Sequence, residues 1–215
     1  GLQYRFVLPG PVLSAQELER CLQTLAALRP APEYVVLSGS FPPGTDLAFF
    51  DDLRALTLRL GARLVVDLSG EPLCHAARHG GVYLMKPSLE ELSTLMGGAV
   101  TSEAEQQEAL RSLIARGCAE IVVLSLGAEG ALYAYGERLE RLRSPQVPVV
   151  SAVGAGDSML GAIVQALADG RSVDAAVRQG IAAGAATVMI GGRCAGSSMG
   201  VRESSMAPNP RSCCS

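Results

Sequence analysis

Lysine and histidine are almost absent from this chain: Lys86 is the only lysine, and His75 and His79 are the only histidines. A Walker A loop needs Gly-Lys followed by Ser or Thr, whereas Lys86 precedes Pro87, so that nucleotide motif is excluded. A zinc-protease helix needs Glu directly after its first His. Here Ala76 follows, and His75 and His79 are expected on the surface of a helix. The six cysteines, at 21, 74, 118, 194, 213 and 214, include no C-x-x-C, which leaves no paired spacing for zinc. A disulfide framework does not suit a chain of this size and apolarity, so reduced thiols in a cytoplasmic protein are expected. No apolar run is long enough to span a bilayer. Gly1-Leu2-Gln3-Tyr4-Arg5 lacks the basic start and apolar core of a signal peptide, and it lacks an initiator Met. The expectation is a chain entered partway through a longer one. Positive charge is not in excess either: 18 basic against 21 acidic side chains leave a net charge of -3. Nucleic acid and anionic membranes are therefore not expected as partners.

What is present is apolar and patterned. Of 215 residues 48% are apolar, and the mean hydropathy is +0.27, as in a packed globular chain. Tyr34 to Ser38, Arg63 to Asp67, Val82 to Met85 and Ala119 to Leu124 are short β-branched runs that read as strands. Helical spacing covers 46–60, 71–78, 88–96 and 101–116, with Gly61 as a stop signal and Ser88 with Glu91 as a capping box. Strands alternating with helices, about 30 residues per unit, predict a parallel sheet covered on both faces. After Ser125 the rhythm changes. Ala131 to Tyr135 and Arg138 to Leu142 predict a hairpin turned at Gly136, and Val147 to Val150 a further edge strand. Helices are predicted from Gly154 to Ala168 and from Ser172 to about Met189, the second rich in small residues that permit close packing.

Four segments at the C-terminal ends of strands carry the chemistry, so one cleft could gather them. The sharpest is Ser151-Ala152-Val153-Gly154-Ala155-Gly156-Asp157-Ser158, between a strand and a helix. Its glycines allow a tight turn, and the first turn of the helix offers unpaired N–H donors and a partial positive charge. That suits a phosphate whose charge grows during transfer, with Asp157 able to take a proton from an attacking hydroxyl. The same residues would also make an ordinary tight turn. A Rossmann fingerprint fails because Met159 stands where the third glycine is needed. The second segment is Ser125 to Gly130, which would also serve as a hairpin connection. In the third, Lys86 to Glu91, Lys86 could hold a phosphate and an acid could hold magnesium through water; it would equally be a capped helix start. The fourth is Ser38-Gly39-Ser40-Phe41-Pro42-Pro43-Gly44.

In this order the segments resemble the ribokinase-like (PfkB-type) carbohydrate kinases from Gln3 to about Met189. Val153-Gly154-Ala155-Gly156-Asp157 is similar to the family's C-terminal signature. Gln3 to Gly10 and Ser38 to Gly44 are most similar to its minor-type 6-phosphofructokinase branch. The resemblance implies a ribokinase-like three-layer α/β/α fold with a mostly parallel sheet. It implies Asp157 as catalytic base, and an anion hole from Gly154, Ala155 and Gly156. It implies an ATP site lined by Ser125, Leu126, Gly127, Ala128, Glu129, Gly130, Ile181 and Ala185, with Lys86 and Ser88 near the phosphates. Glu91 would organise magnesium, Ser40 would lie near the sugar phosphate, and Ser151 and Val153 would offer oxygens to potassium. Two departures stand out: Ser88 replaces the asparagine of Lys-Pro-Asn, and sequence after about Ile190 leaves the family pattern.

The resemblance further implies that the family's first strands, its sugar-binding Gly-Gly motif and most of its β-lid are missing. Residues 1–10 would be a lid remnant, with Gln3 to Leu8 as its last strand, 11–190 the nucleotide-binding domain, and 191–215 an irregular tail. The expected reaction is transfer of phosphate from ATP to fructose 6-phosphate, by a full-length protein that dimerises through its lid. Fructose 1-phosphate and tagatose 6-phosphate are the alternative acceptors. A catalytically inactive nucleotide-binding remnant is the alternative of another class. The chain by itself is expected to show little turnover.

Overall fold

The computed structural model describes residues 10–190. Six strands form one sheet in sequential order: β1 (Tyr34–Gly39), β2 (Arg63–Leu68), β3 (Val82–Met85), β4 (Ala119–Ser125), β5 (Ala131–Tyr135) and β6 (Arg138–Leu142). β1 to β4 run parallel, with Val35 opposite Leu64, Val65 opposite Leu84 and Leu84 opposite Ile121. β5 and β6 add an antiparallel hairpin, turned at Gly136 with φ 54°. Seven helices surround the sheet: α1 (Ala15–Ala27), α2 (Leu47–Arg59), α3 (Gly70–His79), α4 (Leu89–Met96), α5 (Glu103–Ala115), α6 (Ala155–Ala168) and α7 (Val173–Ile190).

The layering comes from handedness. Strands in sequential order joined by right-handed crossovers must carry every crossover helix on the same face. Accordingly Phe50 and Leu53 of α2, Leu73 of α3, Leu92 of α4 and Leu110 and Leu113 of α5 share one core with Leu64, Val66, Val122 and Leu124. The other face is left to the helices C-terminal to the hairpin. Met159, Leu160 and Ile163 of α6 and Val177 and Ile181 of α7 pack there on Val65, Leu84, Ile121 and Val123. Alternation along a strand divides the side chains between these cores. By that alternation Asp67 joins Val65, and Lys86 joins Leu84, on the α6 face.

Local signals set the helix ends. Ser14 with Glu17, Ser88 with Glu91 and Ser102 with Glu105 each form a reciprocal capping box. Helix α1 opens on one of these, Ser14-Ala15-Gln16-Glu17, which the sequence reading passed over. α6 and α7 approach closely because Gly180 and Gly184 stand at their crossing. A Cβ on Gly180 would lie 2.8 Å from the Met159 carbonyl oxygen, and one on Gly184 would lie 3.2 Å from that of Ala155.

Two expectations are corrected. Residues 147–150 belong to no strand. β6 already closes this side of the described sheet, and the segment instead lies along α7, with Val150 N–H donating to the Val188 carbonyl at 2.8 Å. His75 is not a surface histidine: it is buried at 8% exposure between α2 and α3, bonded to Asp51. The expected lid strand at Gln3 to Leu8 and the tail 191–215 lie outside the described residues.

Candidate active site

Lys86 sits one residue beyond β3, pointing across the sheet end on the α6 side. Its main chain is fixed by Lys86 N–H donating to the Val66 carbonyl at 3.0 Å. Its side chain is only 6% exposed, and Nζ meets Asp67 Oδ1 at 3.0 Å. A Cβ added to Gly156 would lie 3.5 Å from that ammonium, so Lys86 stands directly over the first turn of α6.

The first turn of α6 supplies the other half of an anion site. Gly154 holds the left-handed conformation at φ 81° and starts the helix. The first bond of the helix runs from Ser158 N–H to the Gly154 carbonyl at 2.9 Å. Of the amides expected in the anion hole, that of Ala155 is taken by the Ala152 carbonyl at 3.3 Å; those of Gly156 and Asp157 precede intrahelical pairing and are available, with the dipole of a 14-residue helix behind them. A cation and a helix N-terminus thus converge on one point. Asp157, exposed beside this point, accepts a hydrogen bond from Ser38 Oγ at 3.3 Å through its Oδ1. Ser38 comes from the end of β1, 119 residues earlier.

Asp67 was missed by the sequence reading. Its one signal was a carboxylate inside the apolar run Leu64 to Leu68, near a strand's C-terminal end. Burial pushes its pKa above the ordinary value, and the Lys86 charge and hydrogen bond pull against that push. Glu91 and Asp157 add negative potential that raises it further, so three carboxylates face the neighbourhood of one lysine.

The remaining expected site residues divide into groups. Ser125, Gly127, Ala128, Gly130, Ile181 and Ala185 line a pocket of about 490 Å³, together with Ala155, Gly156, Met159 and Gly184. Its walls are largely apolar, and the anion site opens into it. Gly130 at φ 99° closes the loop: Leu126 N–H donates to its carbonyl at 2.9 Å, and a Cβ there would collide with the Leu142 carbonyl. Leu126 and Glu129 instead line a smaller adjoining pocket, where Arg141 bridges Glu129 and Glu103. Ser88 and Glu91 are engaged in capping α4, with Ser88 N–H donating to Glu91 Oε2 at 2.8 Å. Ser88 also pairs with Ser125 as an isolated parallel bridge, which ties the lysine loop to the pocket loop. Ser151 lies against α7 through Val188, and Val153 N–H donates to Ser151 Oγ at 3.3 Å. Ser40 is exposed on the loop after β1.

Around Lys86 the carboxylates of Asp67, Glu91 and Asp157 offer oxygen donors of the kind that suits magnesium. Asp67, Glu91 and Asp157 are not drawn together tightly enough to chelate one ion directly: among the described residues the only such trio lies elsewhere. Magnesium held partly through its own waters fits this spacing.

Comparison with known proteins meets this geometry from another direction. The chain matches the description "pfkB family carbohydrate kinase" over residues 2–198. It is 42% identical over 193 residues to ATP-dependent 6-phosphofructokinase isozyme 2 of Mycobacterium tuberculosis, covering 90% of this chain and 56% of that protein. A 1-phosphofructokinase of Xanthomonas campestris is 38% identical over 165 residues, covering 75% of this chain and 52% of that protein. The crystal structure of Escherichia coli phosphofructokinase-2 in complex with fructose-6-phosphate superposes with a TM-score of 0.81 at 37% identity, covering 87% of this chain and 61% of that one. The same protein in complex with potassium gives 0.82 at 37% identity, with 88% and 61% covered. The chain thus spans between about half and three fifths of the length of the proteins it matches. With the family pattern extending over nearly all of it, and the fold shared with solved members, the chain belongs to the pfkB family of carbohydrate kinases.

Proposed function

We propose that this chain carries the nucleotide-binding and phosphoryl-transfer part of an ATP-dependent sugar-phosphate kinase, acting on fructose 6-phosphate. One observation carries the reading: a buried ammonium stands over the first turn of α6, beside an exposed carboxylate, where an apolar pocket opens. The names of the relatives support the acceptor. Fructose 1-phosphate is the second reading, favoured by the 1-phosphofructokinase relative. The free thiols Cys21, Cys74 and Cys118 suit a reducing compartment such as the cytoplasm.

In this reading the adenosine lies in the pocket between the Gly127–Gly130 loop and α7. The phosphates reach toward Gly156. Lys86 and the amides of Gly156 and Asp157 then face the transferring phosphoryl group and hold the charge that spreads over its oxygens. Asp157 takes the proton of the sugar hydroxyl as that oxygen bonds to phosphorus and the bond to ADP breaks. The Ser38 hydroxyl, donating to Oδ1, orients the carboxylate and leaves Oδ2 for the substrate. Ser40, on the same loop, is placed for the sugar phosphate. Glu91 and Asp67 would hold magnesium, which when bound neutralises phosphate charge. The backbone carbonyls at Ser151 and Val153 are the oxygens this reading offers to potassium.

The test combines a calorimetric titration of the 215-residue chain with MgATP, with and without fructose 6-phosphate, and a coupled assay of ADP release beside Asp157→Ala. Stoichiometric MgATP binding is expected in both forms, with any turnover falling about 10²–10⁴-fold in the variant. Binding without turnover in either form would identify this chain as a nucleotide-binding part that needs sugar contacts from outside it. A folded chain that does not bind MgATP would overturn the proposal.

A further inference from the structure

His75 and His79 lie four apart on α3 and therefore share one face of the helix. Asp51 of α2 faces them. His75 Nε2 lies 3.0 Å from Asp51 Oδ2, and the two imidazoles stack with centroids 4.0 Å apart. One ligand atom from each of the three residues lies within 4.8 Å of the others, and no other such trio exists among the described residues. The back of the cluster is apolar: the Phe50 and His75 rings pack in a T-shape with centroids 5.7 Å apart, and Phe50 is fully buried.

Two details go beyond a simple hydrogen bond. His79 Nδ1 lies 2.9 Å from the carbonyl oxygen of His75, so this nitrogen carries the proton and donates it. In the neutral ring Nε2 then keeps its lone pair, the arrangement that orients metal-ligating histidines. Asp51 Oδ1 is buried without a hydrogen-bond partner, its closest cation being Arg54 Nη2 at 3.7 Å. The carboxylate is thus only half used by the protein.

We propose that Asp51, His75 and His79 form a metal site for a zinc-class divalent cation, clasping α2 to α3 on the sheet face opposite α6. Two neutral imidazoles, one carboxylate and a water complete a tetrahedral set. Ligands about 2.0–2.1 Å from zinc lie about 3.3 Å from one another. The His75–Asp51 separation is close to that, and the His79 ligand atom, already within 4.8 Å of both, needs only a small shift to close on the ion. Magnesium, which favours oxygen donors, does not compete for this nitrogen-rich set. The site owes nothing to the nucleotide reading: it lies on the other layer and uses none of its residues.

The test strips the 215-residue chain with a chelator and titrates it with Zn²⁺ against a chromophoric competitor. A parallel titration with Co²⁺ monitors visible d–d absorption. One ion per chain is expected, with tetrahedral cobalt bands and a thermal midpoint that rises with zinc. His79→Ala, at an exposed position, should keep its far-UV dichroism and MgATP binding. It should lose more than about 100-fold in zinc affinity, beyond the loss of an outer-shell partner. Asp51→Asn should lose the midpoint shift. No stoichiometric uptake would overturn the site, and so would uptake unchanged in His79→Ala, which would place the ion on cysteines such as Cys213 and Cys214 instead.

Discussion

At Lys86 a chain with a single lysine places it where solvent barely reaches. A buried ammonium is tolerated only with a countercharge, and Asp67 Oδ1 at 3.0 Å supplies one. Removing one member of such a pair leaves the other uncompensated. Lys86→Met is therefore expected to destabilise the chain by about 3–5 kcal/mol and to weaken MgATP binding. Adding Asp67→Asn should return much of the stability and none of the binding. Urea unfolding and calorimetry on both variants separate the two effects. If the double variant is no more stable than the single, the pair is not what holds Lys86. In the sequence Lys86 was legible as a candidate phosphate contact because it stands at a strand's end. Asp67 was not, because its partner lies on another strand and nothing local marks it.

The elements owe their ends to short signals that need no tertiary context. Glu105 accepts from the backbone N–H groups of Thr101 and Ser102. These bonds, with those from the two hydroxyls, lower its pKa from 4.5 to about 2. A carboxylate whose folded pKa is lowered stabilises the fold above its unfolded pKa, and that contribution fades as pH falls through the folded one. Glu105→Gln should therefore unfold at a lower temperature than the parent at pH 7, and the gap should close between pH 4.5 and about 2. Melting curves across that range check it, and a gap independent of pH would show that the charge is not involved. The same capping logic made α4 readable, since a Ser followed three residues later by Glu is a purely local pattern, while α5 was readable from its helical spacing. The supposed strand at Val147 to Val150 failed for the opposite reason. Its residue types suit a strand, but pairing requires a free edge at the right place, and Val150 finds its acceptor on α7.

At the scale of the whole molecule the described sheet is open at β1, which pairs only with β2. Val36 on that strand is 46% exposed, and Val149, Val150 and Val153 add apolar surface near the site. An unpaired strand edge with apolar neighbours is a template for another chain. Light scattering on this chain should show a mass that grows with concentration, and a monodisperse monomer at high concentration would count against an open edge.

The order of strands and helices, the parallel sheet and the four strand-end segments are readable in the sequence without the fold, because periodicity, capping and turn residues act within a few positions. Gly154 to Asp157 belong to this class: glycine spacing before a helix marks a tight turn with free N–H donors, without any distant partner. Which residues from distant positions meet is settled only when the layers pack. The contact of Ser38 with Asp157, the pairing of Asp67 with Lys86, and the burial of His75 against Asp51 each join separate elements. Such contacts arise from side-chain parity on strands and from packing between layers. Those are properties of the folded arrangement, and no local run of residues encodes them.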